Sequence, residues 1–125
     1  RCTMASIEEL DKAIGAHGMW KARLKSAVDT GKTDAPVETI RQDNQCAFGK
    51  WLYGPAPTAA DQASDHLRSV KALHAQFHRT AASVAELALR GKKAEAEKMM
   101  PFGGEYAAIS GKLTQAMMEW KKVSK

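Results

Sequence analysis

Apolar residues recur along this chain at alternating spacings of three and four, in three separate stretches, and no other feature restricts its fold as much. That repeat belongs to an α-helix that lays one stripe against a core. The first stretch runs from about Ile7 to Val28 and carries Ile7, Leu10, Ile14, Leu24 and Val28, with Trp20 and Lys21 between. Ser6 and Glu9 read as a capping box at its start, and Gly31 and the segment Thr33-Asp34-Ala35-Pro36 as its end. A second long helix is expected from about Ala59 to Arg90, with Thr58 and Asp61 as a capping box and Gly91 as its stop. Its seam is Leu67, Val70, His74, Phe77, Ala81, Val84 and Ala88, widened by Leu73 and Leu87. The last stretch begins near Lys92 and is interrupted by Pro101, Gly103 and Gly104. Its seam is Phe102, Tyr106, Ile109, Leu113, Ala116, Trp120 and Val123, with Met99, Met100, Met117 and Met118 as adaptable filling.

Between the first two long helices, Val37 to Gly54 shows no long period. Asn44 is a fair N-cap for a short helix through Trp51, and Pro55 and Pro57 break the chain beyond it. The expected architecture is all-α and four-helix-bundle-like, with a short extra helix carrying Cys46. Ala, Lys, Glu, Met and Leu are abundant while Val and Ile are sparse, which agrees with helix.

At 125 residues the chain reads as one domain, 1–125, long enough to bury a core without staples. It opens Arg1-Cys2-Thr3-Met4 without an initiator Met, so it reads as a fragment, a processed form or an expression product, with residues 1–3 as a vector-derived remnant. No apolar run approaches the roughly 18–20 residues that cross a bilayer, and no signal-peptide pattern is seen. Two cysteines in a helical chain do not make a disulfide framework, so a reducing cytoplasmic setting is expected. The net charge is +5, but Lys and Arg are interspersed with Glu and Asp along every helical stretch. Such dispersal describes solvated helix faces, not the concentrated basic stripe of a nucleic-acid binder.

Two seam positions are filled by histidine: His17 on the first helix and His74 on the second. A buried imidazole needs partners for its ring nitrogens. His78 follows His74 by four residues, so both imidazoles share one helix face and can share one metal ion. Cys46 adds a donor of the softness that, with imidazole, suits zinc. Each residue also has a plainer reading. His74 and His78 can be amphipathic side chains at a bundle edge, His17 a core histidine bonded to a carbonyl, and Cys46 a small buried hydrophobe. His66 lies eight residues before His74, about 12 Å along a helix, and reads as a surface residue.

The pattern His17-x-x-Trp20, Cys46-x-Phe48-Gly49-Lys50-Trp51-Leu52-Tyr53 and His74-x-x-Phe77-His78 resembles the chemoreceptor zinc-binding (CZB) domain family, from the first helix to the Trp120 region. The resemblance implies a homodimeric helical bundle in which His17, Cys46, His74 and His78 hold Zn²⁺. It also implies a regulatory input to an attached bacterial output, such as a methyl-accepting chemotaxis receptor or a diguanylate cyclase. Two further readings accompany it: oxidant sensing, for instance of hypochlorous acid, at a zinc-bound Cys46, and a purely structural zinc-stapled dimerisation module. Trp20, Trp51 and Phe77 are expected to wall the site, Gly49 to allow a close backbone approach, and Asp43, Asp65 or backbone carbonyls to orient the imidazoles. An enzyme is not expected. Ala75, Gln76 and Phe77 between the paired histidines supply no carboxylate base, and no Glu-x-x-His di-iron pattern occurs.

Overall fold

The computed structural model describes residues 2–33, 35–42, 46–54, 64–101 and 103–123. These form six helices and, among the described residues, no strand: α1 (Cys2–Thr30), α2 (Val37–Arg41), α3 (Ala47–Tyr53), α4 (Asp65–Leu89), α5 (Lys93–Met99) and α6 (Glu105–Val123). None of these helices is long and apolar enough to cross a membrane.

The long helices end where glycine lets them. Gly31 adopts φ 74° and donates its N–H to the Ala27 carbonyl at 2.7 Å, closing α1 in a left-handed cap. Gly91 adopts φ 77°. Its N–H reaches the Ala88 carbonyl at 3.2 Å, while Lys92 N–H reaches Leu87 at 2.9 Å. These are the paired bonds of a Schellman motif, so Gly91 ends α4 as its sequence suggests. The break before α6 needs glycine for a different reason: a Cβ on Gly104 would lie 2.5 Å from the Lys98 and Met99 carbonyl oxygens.

The helix starts depart from the sequence reading. α1 already runs from Cys2, so Ser6 lies inside it and does not cap it; Cys2 to Ala5 contains no residue that would stop the helix from extending. α4 begins at Asp65, with the Ser64 hydroxyl accepting from His66 N–H. Thr58, Asp61 and the two prolines before them lie outside the described residues, as do Asp43, Asn44 and Phe102.

His17 on α1 lies beside His74 on α4, and Gly31 lies beside the Ala88 carbonyl. These two contacts make α1 and α4 run in the same direction. α6 runs against both, because Tyr106 near its start meets Phe77 and Lys121 near its end pairs with Asp11. Among the short helices, α2 packs on α4 and α3 on α1, while α5 bridges α1, α4 and α6. The bundle is thus four-helix-like, its fourth member supplied in pieces. Its seams are buried as the periodicity requires. Leu10, Leu24, Val70, Phe77, Val84, Leu113, Met117 and Trp120 form one core with Phe48 and Leu52 of α3, while Ile14 and Ala116 are half-buried at its edge. Within this core lie three imidazoles: His17, His74 and His78 are 4, 0 and 2% exposed.

Candidate metal centre

The parallel setting of α1 and α4 brings the seam histidines to one level. The ring centroids of His17 and His74 are 5.0 Å apart, and those of His74 and His78 are 4.6 Å apart. Two backbone carbonyls orient the rings. His17 Nδ1–H donates to the Ala13 carbonyl one turn earlier at 2.7 Å. His78 Nδ1–H donates to the Ile40 carbonyl of α2 at 2.9 Å. With the proton held on Nδ1, each ring keeps its Nε2 lone pair for another partner.

Cys46 arrives from a different element. It is the N-cap residue of α3, and its Sγ accepts the Gly49 N–H at 3.3 Å. The expected N-cap, Asn44, lies outside the described residues, and the observed helix extends to Tyr53, two residues beyond the expected end. Capping α3 fixes Sγ 3.4 Å from His74 Nε2 and 3.6 Å from His78 Nε2. The two Nε2 atoms are 3.2 Å apart.

One donor atom from each of His17, Cys46, His74 and His78 falls within 4.8 Å of the other three. A tetrahedral zinc ion has edges of about 3.3 Å between two nitrogens and about 3.6 Å between sulfur and nitrogen. The three distances among Cys46, His74 and His78 match those edges. His17 Nε2 is buried and has no hydrogen-bond partner, a costly state that a cation at this point relieves. The donor set, its spacing and this unpartnered nitrogen all fit a metal ion.

Electrostatics agree. Burial pulls the His17 imidazole down to about 4, against the Ala13 bond and helped by His78. Burial, then His78, then His17 pull His74 down to about 2. Both rings are therefore neutral, the form that ligates, across the ordinary pH range.

The aromatic wall differs in part from expectation. Phe77 packs edge-on against His17 at 5.0 Å and lies 5.7 Å from His78, and Trp20 lies 6.0 Å from His78. Trp51 stacks on Phe48 and tilts against Trp120. Phe48 itself meets both His74 and His17, at 5.2 and 6.2 Å. Sequence reasoning missed that role, although Phe48 is part of the motif around Cys46. Gly49 contributes its N–H to the sulfur. Asp65 is exposed and pairs with Arg68, away from the site. The orienting groups found are the Ala13 and Ile40 carbonyls, which no side-chain pattern announces. His66 is half-buried at the start of α4 and outside the cluster.

Fold and site define a helical bundle built around a three-histidine, one-cysteine cluster. The chain belongs to the chemoreceptor zinc-binding (CZB) domain family, whose model matches residues 17–85, just over half of its length. The match starts at His17 and contains all four cluster residues, but stops short of α6 and the Trp120 region. Neither a curated protein nor a solved structure matches the chain.

Proposed function

We propose that this domain is a regulatory zinc-binding input module of a bacterial signalling protein, with His17, Cys46, His74 and His78 as the four ligands of one Zn²⁺. The convergence of their donor atoms within 4.8 Å carries the reading. A bound ion would supply a positive hub joining α1, α3 and α4. The chain's own residues do the rest. The Ala13 and Ile40 carbonyls hold two rings in their ligating tautomer, Phe77, Phe48 and Trp20 pack against the imidazoles, and Cys46 ties α3 to the cluster. α3 has seven residues, too few to be stable alone in water, so its position depends on what its capping sulfur is bonded to. The long helices carry no such dependence. A short element biased by a ligand against a fixed bundle is the arrangement a switch requires.

Occupancy then controls an attached output, a chemotaxis receptor or a cyclic-di-GMP enzyme, in a cytoplasmic homodimer. The domain itself is not an enzyme, does not insert into a membrane and does not bind nucleic acid. Four protein donors fill a tetrahedral shell, leaving no position for substrate, and no carboxylate separates His74 from His78. A second reading, oxidant sensing at Cys46, is favoured by one observation: the three histidines are buried while Cys46 remains half-exposed.

Elemental analysis of the purified chain tests the proposal. About one zinc per chain is expected, reduced in His78→Ala and Cys46→Ala proteins. Circular dichroism of metal-stripped protein should retain most of the helix signal; collapse to an unfolded chain would make the metal a structural staple instead. No zinc after reconstitution under reducing conditions would overturn the reading.

A further inference from the structure

The three imidazoles of the cluster are oriented in three different ways. His17 Nδ1–H donates to the Ala13 carbonyl, four residues back on its own helix. His74 Nδ1 is buried without a hydrogen-bond partner. His78 Nδ1–H donates at 2.9 Å to the Ile40 carbonyl of α2, 38 positions away in sequence. A bond within one helix exists whenever that helix is folded. A bond to a second element exists only while that element is docked. Of these two carbonyl bonds, that of His78 alone can therefore be changed from outside the helix that carries the ring.

α2 has little of its own to hold it in place. Its five residues are too few for a stable helix in water, and its N-cap, Pro36, makes no side-chain cap bond. Arg41 pairs with Glu86 of α4 at the surface, a solvated contact of small value. Ile40 is the one buried residue of the helix, 3% exposed, with its side chain in the common core. The residue whose carbonyl orients His78 is thus also the one whose side chain docks α2. Burial of that side chain is the strongest contribution holding the carbonyl where it is.

We propose that Ile40 is a positioning residue of the metal centre: its side chain docks α2 on the core, and its carbonyl thereby fixes the His78 ring with Nε2 aimed at the cluster. This rests on the zinc-binding reading and deepens it, because affinity then depends on a residue that is not a ligand. Coupling of this kind is reciprocal. Whatever draws α2 away from α4 weakens the site, and filling the site holds α2 down.

Zinc affinity, measured with a competing chelator, tests this. Ile40→Ala should weaken binding about tenfold, the scale of losing a partner that orients a metal-bound histidine, and Ile40→Val should restore most of it. Leu113→Ala is the control, because it removes apolar bulk from the same core on α6, which carries no cluster residue; its affinity should stay within about twofold. Proton NMR of the zinc-loaded proteins gives a readout that general loosening would not move selectively. In Ile40→Ala the His78 Nδ1–H signal should shift and exchange faster with water, while that of His17 stays. Unchanged affinity in Ile40→Ala, an equal loss in Leu113→Ala, or equal shifts of both ring protons overturns the proposal. Should Ile40→Ala fail to fold, amide exchange in the unsubstituted chain decides. The Ile40 and Gln42 amides, which donate to the Pro36 and Thr39 carbonyls, should exchange about tenfold more slowly with zinc than without. The Ala96 amide of α5, on an equally short helix outside the cluster, should not change. Equal rates for α2 with and without zinc overturn the proposal too. Elemental analysis of the same samples separates the two failures: a chain without zinc fails the zinc-binding reading, and a zinc-loaded chain indifferent to Ile40 fails this inference alone.

Discussion

The cluster is built from two unlike regions. Three donors stand on α1 and α4, helices of 29 and 25 residues, and are buried among core side chains. The fourth stands at the start of α3, a helix of seven residues, after an α2 of only five. The histidine side is rigid because its positions are set by packing that exists without any ion. The cysteine side is conditional, because its sulfur serves two partners at once, the Gly49 N–H and the cluster. One bond links the regions by another path: His78 on α4 reaches across to the Ile40 carbonyl of α2. What the metal ion would add is therefore unequal, little for the bundle and much for the segment that carries Cys46.

The strongest test of that contrast breaks the rigid side. Phe77 is fully buried and touches His17, Trp20, His78 and Tyr106. Phe77→Ala should cost about 3–5 kcal/mol of stability, read by chemical denaturation of metal-free protein. A loss below about 1 kcal/mol would mean that the bundle does not depend on this packing.

Acid tests the same side next. The unfolded chain protonates its histidines near 6.5, whereas His17 and His74 in the fold resist until about 4 and about 2. Between those limits the unfolded state binds more protons, so metal-free stability must fall as pH falls. The slope is about 1.4 kcal/mol per pH unit for each ring, or about 2.7 kcal/mol for both between pH 5.5 and 4.5. The slope fades as pH rises through 6.5, and above about 7.5 both states are neutral and these rings contribute none. Denaturation at a series of pH values checks this, and His17→Gln should remove about half of the slope.

Cys46→Ser sharpens the contrast from the other side. Zinc affinity should drop by at least the 10–100-fold seen for changes around metal ligands, measured with a competing chelator. The stability of the metal-free bundle should change by less than about 1 kcal/mol. Large loss of the bundle would show that the two regions are not separable.

The smallest effect is expected at the surface of the cysteine-bearing segment. Arg41 of α2 pairs with Glu38 and, at 3.6 Å, with Glu86 of α4. Arg41→Gln should cost between 0 and about 1 kcal/mol, and the cost should shrink in high salt.

Much of the rigid side was legible in the sequence. Seam spacing placed Leu10, His17, Leu24, Val70, His74, Phe77 and Val84 on inward faces, because helical period alone decides which side chains share a face. Gly91 announced the end of α4 for an equally local reason. The helix starts were less legible. Ser6-x-x-Glu9 has the pattern of a cap, yet the helix continues through it, since such a pattern caps only where the chain has reason to stop.

The sequence by itself determined the helices, their buried faces and the four residues whose chemistry suits a metal, because all of these follow from local period and side-chain type. Tertiary structure decided the rest. That α1 and α4 run parallel, bringing His17 level with His74, depends on packing between residues nearly sixty positions apart. That the Ala13 and Ile40 carbonyls orient the rings is a backbone matter, and every residue has a carbonyl. That Phe48 faces the imidazoles while Cys46 both caps α3 and meets His74 and His78 depends on how a short helix docks on a core made elsewhere. Contacts of that kind come from the joint shape of several elements, which no single stretch of sequence contains.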